Sequence, residues 1–208
     1  MRRLLSCLLA AFTLLPLVAA GEEPAPSPAR PEPEVLITDG HDHGGWGAPV
    51  VAVSRVRGCD AVFVGGRGGW LIDHRLTLGG GGFGLASGVP APDVLQPTAG
   101  RYDLNVGYGG LWIEYGLAPL RVVHVSVGTL VGAGGVSLRQ GGSAVQGDRS
   151  SAAFALEPSV LVELNLVRFA RVAVGASYRW LAGVRLAGLT TGDVSGLAFV
   201  ASVKLGKF

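Results

Sequence analysis

The stretch AAFALEPSVLVELNL, residues 152–166, alternates with a period of two. Phe154, Leu156, Pro158, Val160, Val162 and Leu164 fall on one side, and Ala155, Glu157, Ser159, Leu161, Glu163 and Asn165 on the other. Successive side chains of a β-strand point to opposite faces, so the stretch predicts a strand with one apolar and one mostly polar face. It is far longer than the ~5–6 residues usual in globular sheets. It is long enough for the ~9–11 residues that a tilted strand needs to cross a bilayer.

The same alternation recurs on both sides, over 48–57, 60–72, 75–87, 102–115, 121–134, 170–182 and 195–207. In 121–134, Val123, Val125, Val127, Thr129 and Val131 oppose His124, Ser126 and Gly128. In 102–115, Tyr102, Leu104, Val106 and Tyr108 oppose Asp103, Asn105, Gly107 and Gly109. In 170–182, Val172, Val174, Ala176, Tyr178 and Trp180 oppose Ala173, Gly175, Ser177 and Arg179. The connections at Asp73–His74, Gly116–Leu120 and Val167–Phe169 are short, while 88–101, 135–151 and 183–194 are longer. The short first connection, Gly58–Cys59, breaks that pattern. Short periplasmic turns and longer external loops are the habit of outer-membrane barrels, and an even strand count puts both termini on the periplasmic side. The predicted fold is all-β: an eight-stranded antiparallel up-and-down transmembrane β-barrel over residues 48–208.

Composition agrees. Of 208 residues 34 are glycine, about 16% against a usual ~7%. Hydrophobic residues make up 49% and charged residues only 15%, and the mean hydropathy is +0.43. That is too apolar and too poor in charge for a disordered chain. The glycines follow no triplet repeat, which excludes collagen. Apart from the N-terminus, no apolar run approaches the ~18 residues of a membrane helix. Hydrophobicity is spread one residue in two.

Residues 1–20 read as a cleaved export signal: Arg2 and Arg3, an apolar run from Leu4 to Val18, and Val18-Ala19-Ala20 before Gly21. Without Arg2 and Arg3 the chain carries fifteen basic and fifteen acidic residues. The pI of about 8.7 therefore does not point to nucleic acid, and no basic cluster interleaved with aromatics does either. Residues 21–47 read as a Pro- and Gly-rich periplasmic linker. Cys59 is the one cysteine after the signal, so no internal disulfide is expected.

Gly65-Gly66-Arg67-Gly68-Gly69-Trp70 and Gly79-Gly80-Gly81-Gly82-Phe83-Gly84 look like phosphate loops, but no Gly-Lys-Ser/Thr and no helix follows either. Glycines in strands suit tight bends and close backbone approach in a narrow barrel. The blocks GGRGGWLIDH (65–74), GGGGFGL (79–85), NVGYGGLWIEY (105–115) and HVSVGTLVGAGGVS (124–137) resemble a family of uncharacterised bacterial outer-membrane β-barrel proteins. The resemblance spans roughly 44–208 and implies a fold and a location, with no known activity or catalytic residues. The terminal Phe208 partly matches the outer-membrane assembly signal. Gly206, Lys204 and Ser202 share its parity, however, while Leu205, Val203 and Ala201 carry the apolar face, so either a bulge shifts the register or the signal is weak.

The inward face is expected to carry a polar network of Arg67, Asp103, Asn105, His124, Ser126, Glu157, Ser159, Glu163, Asn165, Ser177 and Arg179. An eight-stranded barrel is just wide enough to be filled by side chains, so its charges should pair to offset desolvation. Trp46, Trp70, Trp112, Tyr115, Phe169 and Phe208 are assigned to an aromatic girdle at the periplasmic rim. Tyr102, Phe154 and Trp180 are assigned to the external one. His124 and Ser126 share a face at i, i+2, which resembles the His and Ser spacing of some outer-membrane lipid A deacylases, but Glu114 falls by parity on the opposite face with Trp112. His41 and His43 make a weak metal pair with no third ligand, and no metal or other cofactor is expected. The expected function is structural or surface-interacting, without catalysis or a large pore. Outer-membrane lipid and the barrel-assembly machinery are the expected partners, the external ligand is open, and the chain is expected to be a monomer. Two alternatives remain: a soluble secreted barrel binding a small apolar ligand, and the His124/Ser126 hydrolase.

Overall fold

Eight long strands carry the alternation: β1 His43–Val56, β2 Cys59–Ile72, β3 Leu76–Leu85, β4 Asp103–Leu117, β5 Val123–Gln140, β6 Ser150–Val167, β7 Ala170–Ala182 and β8 Gly196–Lys207. The computed structural model describes residues 42–98, 100–140, 143–144 and 150–208. The export signal, linker residues 21–41 and most of the connection between β5 and β6 lie outside the described residues. Each strand pairs antiparallel with the next, and β8 returns to β1, with Val50 opposite Ser202 and Val53 opposite Phe199. The sheet therefore closes into an eight-stranded up-and-down barrel with no free edge.

β1 begins five residues earlier than the alternation suggested. Its Gly44–Gly47 segment is in register with β2, Gly47 opposite Gly68, and Gly45 lies opposite Lys207 of β8. β5 and β6 run further at the loop end, because Val136 and Leu138 continue the inward alternation and are fully buried. The glycine blocks of β2 and β3 continue across β4 into β5, as Gly69 opposite Gly79, Gly81 opposite Gly110, and Gly110 opposite Gly132. Close approach requires glycine there: a Cβ on Gly110 would lie 2.6 Å from the Cα of Gly132.

One end of the barrel has only short turns, at 73–75, 118–122 and 168–169, and both ends of the strand array open there. The other end is covered. After β3, a short pairing of Val89–Pro90 with β4 leads into a 3-10 turn, Asp93–Leu95. Before β8, the one-turn helix α1, Thr191–Val194, closes the last loop. Val89, Ala91, Leu186, Leu189 and Val194 all join the interior cluster. The two segments touch: a Cβ on Gly188 would meet Pro92 and Val94 at 2.9 Å. They form an apolar lid over the barrel mouth.

The β1–β2 turn fastens this lid. Arg57 and Gly58 both have positive φ, 53° and 75°, the twist that suits a two-residue hairpin. A non-glycine residue in that region costs about 1–2 kcal/mol. Contacts offset it: the Arg57 N–H donates to Asp193 O at 2.7 Å, and its Nη1 to Pro90 O at 2.6 Å.

Candidate functional site

The interior is a column of charges set among large apolar side chains. Near the turn end Lys204 of β8 donates to the carboxylates of Glu114 on β4 and Glu163 on β6. Ser126 Oγ donates to the same Glu163 oxygen at 2.5 Å, and His124 Nε2 lies 3.4 Å from the other. Higher up, Glu157 accepts from Tyr108 Oη and from Ser177 Oγ, each at 2.6 Å. Beneath the lid Arg179 donates through Nε to Val194 O at 3.0 Å and through Nη2 to Ser54 Oγ at 3.3 Å. Glu114, Glu157 and Glu163 face Arg67, Arg171, Arg179 and Lys204, so cations outnumber carboxylates among the buried groups described.

Aromatic rings meet that excess. Arg67 lies over Trp112 at 4.3 Å from the ring centroid, Arg179 over Phe63 at 3.9 Å, Arg171 over Phe208 at 3.9 Å, and Lys204 over Trp46 at 4.3 Å. Every buried cation of the described residues thus has its own aromatic face. Each such contact is worth about 2 kcal/mol when desolvated. Trp46 is fixed in turn by its Nε1–H, which donates to Thr77 Oγ1 at 3.0 Å.

Several expected positions are corrected. Trp46 and Trp112 are not girdle residues but buried lumen residues, 6% and 1% exposed, and Phe208 turns inward onto Arg171. Trp70, Tyr115, Phe154 and Trp180 do point outward, with Phe154 and Trp180 edge to face at 6.5 Å. Phe169 is exposed at the turn end, and Tyr102 packs partly buried against the interior cluster. The faces of β4 are the reverse of those expected. Leu104, Val106, Tyr108, Trp112 and Glu114 point inward, while Asp103 and Asn105 do not. At this height the lid supplies an apolar interior and the outside is polar: Asp103 pairs with Arg101, and Asn105 donates to Ser137 Oγ.

Arg67, His124, Ser126, Glu157, Ser159, Glu163, Ser177 and Arg179 are buried inside. Asn165 sits at the turn-end rim, donating to Pro119 O and Arg121 O. The pairing along β8 runs without a bulge, so Phe208 shares the inward face of Lys204 and Gly206. Lys204, Glu114 and Arg171 complete the network and were not expected in it. The signal for Lys204 was its parity with Ser202 and Gly206, a polar-and-glycine row beside an apolar one. His41 lies outside the described residues, and the His43 ring rests on Trp70 at 5.2 Å. No cluster of three metal-ligating side chains occurs among the described residues.

No family model and no curated protein matches the chain. A solved structure shares its fold. Neisserial surface protein A superposes with a TM-score of 0.57 at 15% identity, covering 82% of this chain and 100% of that one. Ail, the attachment invasion locus protein of Yersinia pestis, matches with a TM-score of 0.44 at 12% identity, over 79% of this chain and 97% of that one.

Proposed function

We propose that the protein is an outer-membrane barrel that crosses the lipid bilayer with its eight strands and presents its lid outside, in a structural or surface-interacting role. The outward face carries this reading. Val51, Val53, Val64, Leu111, Ile113, Val160, Val162, Val174 and Phe199 surround the barrel at mid-height, Leu111 and Phe199 being 69% exposed. Soluble monomers rarely expose apolar patches beyond a few hundred Å², and an encircling belt of this kind suits lipid. Outward Trp70 and Tyr115 near the turns, and Phe154 and Trp180 near the loops, bracket that belt as interfacial aromatics do. The predicted export signal and the likeness in fold to a Neisserial surface protein support the same reading.

Membrane lipid and the barrel-assembly machinery are then the partners that the chain needs in order to reach its place. A barrel that closes within one chain needs no second copy. An apolar ligand in a water-soluble barrel would call for a polar exterior, the reverse of this one. A hydrolase would need His124 to take the Ser126 proton, but Ser126 gives it to Glu163 and is 1% exposed. Cell fractionation with heat-modifiable gel mobility tests the membrane reading. Recovery in the membrane fraction, with slower migration after boiling, is expected; recovery in the soluble periplasm with no shift would overturn it.

A further inference from the structure

At the turn end the rim carries Arg75, Arg121, Arg168 and Arg171. None of the four has an ion-pair partner among the described residues. At the lid end Arg55 pairs with Asp60, Arg101 pairs with Asp103 and Arg57 donates to Pro90 O, while Arg139 and Arg185 have no ion pair among the described residues either. Arg168 and Arg171 line one hollow of about 330 Å³ together with Leu120, Asn165, Val167 and Phe208. Arg171 is 8% exposed and rests on the Phe208 ring, so its guanidinium is held in place before anything binds. The two donors of Asn165 are engaged, but its buried Oδ1 accepts from no described group. Leu120 and Val167, 81% and 51% exposed, carry the hollow into the apolar belt.

From this arrangement we infer that the hollow between the 118–122 and 168–169 turns binds the phosphodiester head group of an anionic phospholipid in the leaflet on the turn side. Guanidinium groups recognise phosphate oxygens through paired charge-assisted hydrogen bonds. Arg168 and Arg171 take the phosphate, Asn165 Oδ1 accepts from a head-group hydroxyl, and the acyl chains lie along Leu120 and Val167. Arg121 and Arg75 line the neighbouring hollow beside the same turn together with one carboxylate, Asp73, and the positive excess there adds to the attraction for an anionic surface. The inference rests on the membrane reading above and adds a lipid class and a leaflet to it.

The full-length mature chain, released from vesicles of phosphatidylethanolamine with a minor share of phosphatidylglycerol, is examined by native mass spectrometry for retained lipid. Phosphatidylglycerol is expected to remain bound in preference to the more abundant, zwitterionic phosphatidylethanolamine. Arg168→Gln should lower that retention about tenfold, a loss matched to one charged hydrogen-bonding group. Arg168 is exposed, so this variant keeps the barrel folded, as gel mobility would verify; Arg171→Lys keeps charge but loses the fork and should weaken retention less. Arg55→Gln at the opposite end should leave it unchanged. Equal retention in the Arg168→Gln variant, or binding of inorganic phosphate with no preference among lipids, would overturn the inference. Failure to insert into vesicles at all would instead sink the membrane reading.

Discussion

Lys204 sits between two buried carboxylates and on the face of Trp46, and removing its charge strands both Glu114 and Glu163 in the lumen. Breaking a buried pair from one side costs about 3–5 kcal/mol. Lys204→Met should lower the unfolding free energy of the barrel by that order, read from a urea titration followed by gel mobility in detergent, and adding Glu114→Gln should restore part of the loss. Equal stability of Lys204→Met and the native chain would remove Lys204 as the hub of the interior. A second residue-scale effect lies on the lid. Asp193 accepts from the Thr190 hydroxyl and N–H, and these bonds hold its carboxyl below the ordinary carboxylate range. A group depressed on folding contributes stability above its unfolded pKa and loses it as pH falls through the folded one. Protection of the Arg57 amide, which donates to Asp193 O, measured against the intrinsic exchange rate at each pH, should therefore fall as pH drops below the carboxylate range and stay constant around neutral pH. Asp193→Asn should flatten that dependence. His124 on β5, Glu157 and Glu163 on β6 and Arg179 on β7 were legible from parity alone, whereas Arg171 at the start of β7 was not. The aromatic partners of the cations were not, because a tryptophan near a strand end fits a rim as well as a lumen, and only closure of the ring decides.

At the scale of elements, the tract of glycines across β2, β3, β4 and β5 sets how near neighbouring strands and their inward side chains lie. The same substitution at two sites separates packing from propensity. Gly132→Val drives side-chain atoms into Gly109 and Gly110 of the facing strand, whereas a Cβ on Gly84 meets nothing within 4 Å. Overpacking of this kind costs about 1–3 kcal/mol or more. Gly132→Val should reduce the fraction that migrates as folded barrel without boiling, and Gly84→Val should not. Equal behaviour of the two would mean that close approach is not what the glycines serve. Strand number and most strand limits were readable from the period of two. The faces of β4 were not, because Leu104 and Val106 rise above the outward apolar belt, where an apolar residue belongs inside, under the lid. A single sequence carries no mark of the height at which inside and outside exchange polarity.

For the molecule as a whole, the turn end is open in charge and the lid end is closed by apolar packing, so the barrel is asymmetric along its axis in chemistry as well as in loop length. That asymmetry was half legible: the lengths of the connections were visible, but not the folding of two of them into one cover. The cover hangs from Arg57, whose amide holds one segment and whose guanidinium holds the other. In a lineage whose outer surface drifts under selection, these two segments are not free to drift separately. An insertion that displaced Pro90 would unfasten the segment around Asp193 as well. Among descendants of one ancestral barrel, residue 57 and the lengths of both segments should change together, as inherited sets, rather than one at a time.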